Sequence, residues 1–357
     1  MDYSPKEYIN PITNQLEALF FAHPNAVAIW KENPDIILMD CTYKTNKFRM
    51  PLLNICTVTG NKKTVQTALC FISGEKEPDY GLAVSWFREL MEEKDIEEPT
   101  CFITDREIAL MNSLDDTFLN SAHILCTWHV NMNVLANCRK HFPKDKVDPN
   151  KPGDYIPDPN WEEFLKDWNS LLDSPDEAEY ESRLVNFRKH NNEAVQYCKN
   201  TWLKWKEKLV RYWVDQVLHF GIRVTSPIEG CHAVLKSYLK VSTSDLKGVF
   251  DRLMLFWPDQ HQNILNSMAQ EKNKVKHALN KAYFNIIQSL VYDRALHLIL
   301  RQFAKLHKAR EENTHLGPCT CTIKQSMGLP CFHTIHQRFS RGGYILLEDI
   351  HPFWWYD

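Results

Sequence analysis

The sequence predicts an α/β fold: a mixed sheet first, a long α-helical stretch after it, and a small metal-binding knuckle near the end. Three observations carry that expectation. Three short apolar runs follow one another from about residue 35 to residue 74, each of strand length. Helix-like and strand-like segments then alternate up to about residue 128. From residue 161 to about 312 the apolar spacing is helical almost throughout.

The elements follow in order. Residues 1–30 are expected to form a helical lead-in. "DIILMDCTYK", "PLLNICTVTG" and "TVQTALCFISG" are rich in Val, Ile, Leu and Thr, and turn-prone "TGNKK" separates the second from the third, so they predict a three-stranded meander. In "DYGLAVSWFRELMEEKD", Leu82, Trp86, Leu90 and Met91 fall on one face of a helix whose last turn is heavily charged. A fourth strand "TCFITD", a short helix "REIALMNSL" and a fifth strand "AHILCTW" complete the α/β part. "VDPNKPGDYIPDPN" is a loop by its Pro, Asp and Gly content. Trp-rich helical segments follow, then "IEGCHAVLKSYLK", "LKGVFDRLMLFWPDQHQNILNSM" and "YFNIIQSLVYDRALHLILRQFAKLHKAR". There is no internal repeat and no low-complexity tract.

Length and composition bound the function. At 357 residues, with 44% hydrophobic and 24% charged, the chain is globular and large enough for one big domain or two ordinary ones. A net charge of −3 argues against a chain-wide basic footprint and leaves room for a local one. "MDYSPKEYINPITNQ" has neither a cationic nor an apolar leader region, and no stretch is apolar for the length of a bilayer span. With 11 cysteines in such a chain, reduced thiols and an intracellular, soluble setting are expected, with no membrane partner.

Three acids stand out by position. Asp40 ends the apolar run "IILMD" in the first strand, and Asp105 ends "CFITD" just before a helix. Glu229 lies in the first turn of a helix opened by Ser226 and Pro227, where the helix dipole alone favours a carboxylate. An unpaired charge in a strand is costly, and ligands gather at the carboxyl ends of strands in open α/β sheets. Carboxylates on neighbouring elements make a hard-oxygen site for Mg²⁺ or Mn²⁺, and a pair of such ions serves in-line displacement at a phosphodiester. The chain shows no convincing nucleophile triad and no Gly-rich phosphate loop.

Near the end, "CTCTIKQSMGLPCFH" places Cys319, Cys321, Cys331 and His333 as CxC…CxH, a complete donor set for a closed tetrahedral zinc site. His315 and His336 lie nearby, but the CxH spacing favours His333. Metal binding would supply folding energy that so short a segment lacks. In "KNTWLKWKEKLVR", Lys204, Lys206, Lys208 and Arg211 interleave with Trp202 and Trp205. The pattern suits DNA phosphates and stacked bases, and it fits better a helix with an aromatic core face and solvated lysines.

"LMDCTYKTNKFRMPLLNI", "FITDREIALMNSL" and "HILCTWHVNMNV" resemble the transposase domain of Mutator-like (MULE) elements, with its ribonuclease-H-like fold. "CTCTIKQSMGLPCFH" resembles the SWIM zinc finger found downstream in the same proteins, and "EDIHPFWWYD" has the same flavour. The resemblance implies a DDE transposase in which Asp40 and Asp105 are the first two metal-binding acids and Glu229 the third. This chain has "TSPIEG" where the family usually shows "TNN…E", so Asp215 and Asp251 stay open as alternatives to Glu229. Cys126 and His129 match the family's CxxH element. They read as a zinc half-site, as a DNA contact or active-site support, or simply as a strand end and a helix start.

The resemblance further implies Mg²⁺ (or Mn²⁺) at the acids, zinc at the finger, and DNA as partner, both element ends and target. A homodimer or higher assembly and a nuclear location go with it. The finger is expected to be an appended docking module for DNA or protein. The expected division is a lead-in at 1–30, a catalytic core at 31–145 and a helical insertion at 146–222. The rest of the core with C-terminal helices follows at 223–312, the zinc finger at 313–342 and a tail at 343–357. Many relatives carry an upstream DNA-binding finger, whereas this sequence opens almost at the core, so a fragment, a truncated copy or recognition by its own helices is expected. The rival reading is a domesticated, catalytically silent DNA-binding regulator, as in the plant far-red-response proteins that resemble this family.

Overall fold

The structure, a computed structural model, describes residues 5–147, 151, 155–239, 243–274, 276–312 and 316–356. Its frame is a seven-stranded mixed sheet in the order β1-β2-β5-β4-β3-β6-β7. The strands are β1 (Lys6–Ile9), β2 (Leu16–Ala22), β3 (Ile36–Thr42), β4 (Leu52–Val58), β5 (Thr64–Ile72), β6 (Cys101–Thr104) and β7 (Ala122–Leu125). β1 to β5 pair antiparallel, β1–β2, β3–β4 and β4–β5 as hairpins and β2–β5 at a distance along the chain, whereas β6 and β7 add parallel to β3 after helical crossovers. This is the ribonuclease-H-like arrangement, with a helical insertion.

The amino-terminal segment departs from expectation. Where a helical lead-in was expected, β1 and β2 form a hairpin that extends the sheet, and only α1 (Pro24–Glu32) is helical. "LEALFFA" lacks β-branched residues, so its local pattern says little. Pairing with β5 decides it, because Phe20 then enters the core on one face and Phe21 on the other.

Each face of the sheet has its own cover. α2 (Glu77–Lys94) and α3 (Ile108–Thr117) lie on one, where Trp30 stacks on Phe87 with ring centroids 4.8 Å apart. On the other lie α9 (Ser226–Leu239), α10 (Leu246–Lys272) and α11 (Asp293–Glu311). After β7 come α4 (Thr127–Cys138) and a two-stranded ribbon of β8 (Lys146–Val147) and β9 (Tyr155–Ile156). α5 (Pro159–Leu172), α6 (Glu177–Phe187), α7 (Asn192–Thr201) and α8 (Arg211–Val214) then pack round a core of their own, with Phe164, Trp168 and Phe187 fully buried.

Two expected helices are shorter than their patterns. Helix α7 ends at Thr201 and a kinked 3-10 segment, Leu203–Lys208, follows it. "YFNIIQSLVY" is a set of tight turns, and Val291 bridges to Trp355. The zinc knuckle differs most. With α12 (Ile323–Met327) and α13 (Phe332–Ser340) it packs against α11, and Leu329, Cys331 and Ile335 are buried in the large core. The last residues run back over it: Trp354 Nε1 donates to the Met327 carbonyl at 2.6 Å, and His351 N to the Gly328 carbonyl at 2.9 Å. Gly328 has φ +61°, and a Cβ there would collide with His351, so the turn requires glycine. The knuckle is an integral part of the fold and not an appendage.

Candidate active site and metal centre

Register brings the two aspartates together. β3 runs parallel to β6 with Leu38 opposite Ile103, so two residues on, Asp40, in the carboxyl half of β3, lies beside Asp105, the residue that follows β6. Side chains alternate along a strand. Asp40 therefore shares the face of Ile36 and Leu38, and Asp105 that of Cys101 and Ile103, under α9. Burial, then the Asp105 charge, pushes the Asp40 carboxyl up to about 7, and burial raises Asp105 as well. On β4 the buried Asn54 stands opposite Asp40.

Glu229 reaches this site from the first turn of α9. Its Oε1 lies 3.4 Å from Nε2 of His129, and the same imidazole lies within electrostatic reach of Asp40 and Asp105. His129 is pushed up to about 9, first by its hydrogen bond with Cys126, against the effect of burial, and then by the Cys126, Asp40 and Asp105 charges. The alternatives to Glu229 are engaged elsewhere. Asp215 binds Arg211 at 3.1 Å and His219 at 3.2 Å, and Asp251 pairs with Lys247 on the outside of α10.

The CxxH element is the joint between the two halves of the site. Cys126 caps α4, its sulfur accepting from His129 N at 3.5 Å and from Thr225 N at 3.1 Å. The Thr225 hydroxyl meets His129 Nδ1 at 3.2 Å. Burial pushes the Cys126 thiol up, but the hydrogen bonds from His129 and Thr225 outweigh it and hold the thiol below its ordinary value. Thus Cys126 and His129 tie the end of β7 to the start of α9, four residues before Glu229.

Two neighbours were missed in the sequence. His232, one turn after Glu229, places Nδ1 4.0 Å from Asp40 Oδ2, and burial pushes it down to about 4, so it is neutral. Its i+3 spacing from Glu229 was the available signal. Trp128, inside the CxxH element, is 38% exposed at the edge of the His129 ring.

The basic aromatic stretch is mostly spoken for. Trp202 is 3% exposed in the insertion core, its ring covered by the Arg106 guanidinium at 5.0 Å, which agrees with the core reading and not with base stacking. Trp205 is half-buried beneath Lys204, and Lys206 sits over Trp213 at 4.6 Å. Lys208 pairs with Asp115 at 2.9 Å and Arg211 with Asp215 and Asp173, leaving Lys204 as the exposed cation of the set.

Among the described residues, the one set of three or more Cys, His, Asp or Glu ligand atoms drawn within 4.8 Å of one another is Cys319, Cys321, Cys331 and His333. Asp40, Asp105 and Glu229 do not form such a set. In the knuckle Sγ of Cys319 is 3.6 Å from Sγ of Cys331, and Sγ of Cys321 is 3.4 Å from Nδ1 of His333. Zinc–sulfur bonds of about 2.3 Å imply a tetrahedral edge of roughly 3.8 Å, so the donors fit zinc. His315 lies outside the described residues.

A ribonuclease-H-like sheet with paired acids at its strand ends and a Cys/His knuckle defines a class, and the comparisons agree with it. Residues 36–133 match the MULE transposase domain. It is 24% identical over 344 residues to the PKS-NRPS hybrid synthetase cheA of Chaetomium globosum, a match covering 90% of this chain and 7% of that protein. It is 23% identical over 167 residues to Protein FAR1-RELATED SEQUENCE 5 of Arabidopsis thaliana, covering 46% of this chain and 20% of that one. The chain thus spans a minor part of both relatives. No helix among the described residues is long and apolar enough to cross a membrane.

Proposed function

We propose that this chain is a DDE-type DNA transposase of the Mutator-like class, cutting element ends and joining them to target DNA in the nucleus. The observation that carries the reading is the juxtaposition of Asp40 and Asp105, two half-buried carboxylates on neighbouring strands whose charges oppose each other. Such a pair is costly unless a cation balances it, and an all-oxygen donor set suits Mg²⁺ or Mn²⁺. Bound there, divalent ions would activate an attacking oxygen and steady the leaving oxygen of a phosphodiester. Asp40 and Asp105 would hold the ions from the sheet, and Glu229 would complete the set from α9. His129 and Cys126 keep Glu229 in place, while the knuckle holds its own zinc.

The match to FAR1-RELATED SEQUENCE 5 favours a second reading, a regulator that has kept the fold and DNA binding without cutting. The match to the hybrid synthetase covers too little of that protein to carry its activity over. Asp105→Asn separates the two readings, assayed with Mg²⁺ on DNA bearing element ends. A transposase cleaves as wild type and loses cleavage in the variant while retaining DNA binding. A regulator binds DNA in both forms and cleaves with neither.

A further inference from the structure

The segment that delivers Glu229 is held in a strained shape by the zinc knuckle. Between α8 and α9 the chain turns through Phe220 at φ +51° and Gly221 at φ +72°, two consecutive left-handed residues. Glycine takes that shape freely, but phenylalanine does so only where its surroundings enforce it. Here the enforcement comes from the knuckle and the end of the chain. The Ser326 carbonyl, in α12 between Cys321 and Cys331, accepts from His219 N at 3.1 Å and from Phe220 N at 2.8 Å. The Phe220 ring stacks on Phe353 with centroids 4.0 Å apart and planes 16° from parallel. Arg294 on α11 donates to the Phe220 carbonyl at 3.0 Å.

Beyond this turn the connection to the site is short. The Arg223 carbonyl accepts from Thr127 N at 3.1 Å, Thr225 N reaches Cys126, and α9 with Glu229 begins at the next residue. The segment is pinned at one end by the knuckle and at the other by the CxxH element. We propose that the zinc knuckle acts as a positioning element for Glu229: with zinc bound, α12 holds the left-handed turn at Phe220 and thereby sets where α9 starts. This rests on the catalytic reading for its consequence, not for its mechanism. It gives the knuckle a task inside the catalytic half, in place of the docking role expected of an appended finger.

The test combines hydrogen exchange with kinetics. The full chain is compared with zinc and after 1,10-phenanthroline, alongside Phe353→Ala, which keeps all four ligands, and Phe353→Leu, which keeps an apolar partner for Phe220. Exchange at residues 219–232 is expected to rise about tenfold or more on chelation and in Phe353→Ala, with β3 and β6 unchanged and Phe353→Leu partly restored. Co²⁺ substitution, read by its thiolate absorption, checks that the Phe353 variants still load the knuckle. Cleavage is expected to lose on the order of 10- to 100-fold in kcat with KM for DNA unchanged, as a misplaced active-site group costs.

Unchanged exchange at 219–232 would overturn the proposal, as would a rise in KM at constant kcat, the mark of a docking module. If chelation loosens the sheet as well, Phe353→Ala decides by the same two readouts. If the wild-type chain cleaves nothing, the catalytic reading has failed, and hydrogen exchange alone still decides the coupling.

Discussion

Replacing Asp40 by asparagine is expected to stabilise the metal-free protein while removing its response to Mg²⁺. Asp40 is 14% exposed, and burial with the neighbouring Asp105 charge lifts its carboxyl from 3.8 to about 7. Between those values the native state holds a proton that the unfolded chain has released, so stability falls as pH rises across the window and stays reduced above it. Three decades of proton affinity at about 1.4 kcal/mol each set the penalty at roughly 4 kcal/mol above pH 7. Asparagine carries no charge and keeps the shape. It should therefore be more stable than wild type at pH 8 by up to about 4 kcal/mol, with the difference vanishing near pH 4. Mg²⁺ at a hundred times its Kd should return about 2.7 kcal/mol to the wild type and little to the variant. Urea unfolding at pH 4, 6 and 8, with and without Mg²⁺, measures all three. A variant no more stable than wild type at pH 8 without metal, or an advantage that persists at pH 4, would refute the reasoning.

Glu229→Gln should abolish strand cleavage, whereas Asp251→Asn, on the outer face of α10, should leave it within twofold; a cleavage assay on element-end DNA separates them. Cys126→Ala strips two backbone donors of their buried acceptor and should cost about 1–3 kcal/mol in urea unfolding, with Cys126→Ser losing less. Trp168→Ala should cost about 3–5 kcal/mol, read as a lower Tm, because the ring fills the centre of the insertion core.

What was legible in the sequence was what short-range pattern determines. Strand-length apolar runs and the helical face of Trp86 and Leu90 depend on period and neighbouring residues alone, and the observed elements bear them out. The four knuckle ligands were equally plain, because two CxC-like pairs lie within fifteen positions and need only a tight turn between them. Burial, by contrast, depends on what comes to lie on top. Trp202 and Trp205 have a basic, aromatic pattern that suits either a surface or a core, and packing of α6 and α7 settled it for the core.

"LEALFFA" became a strand through a partner strand some fifty residues away, and "YFNIIQSLVY" lost its helix to the returning end of the chain. The sequence determined which residues could do chemistry. Only the tertiary structure decided that Cys126 and Thr225, about a hundred residues apart, hold the helix of Glu229. It also placed the knuckle inside the core. Both outcomes rest on contacts distant along the chain, which local periodicity does not encode.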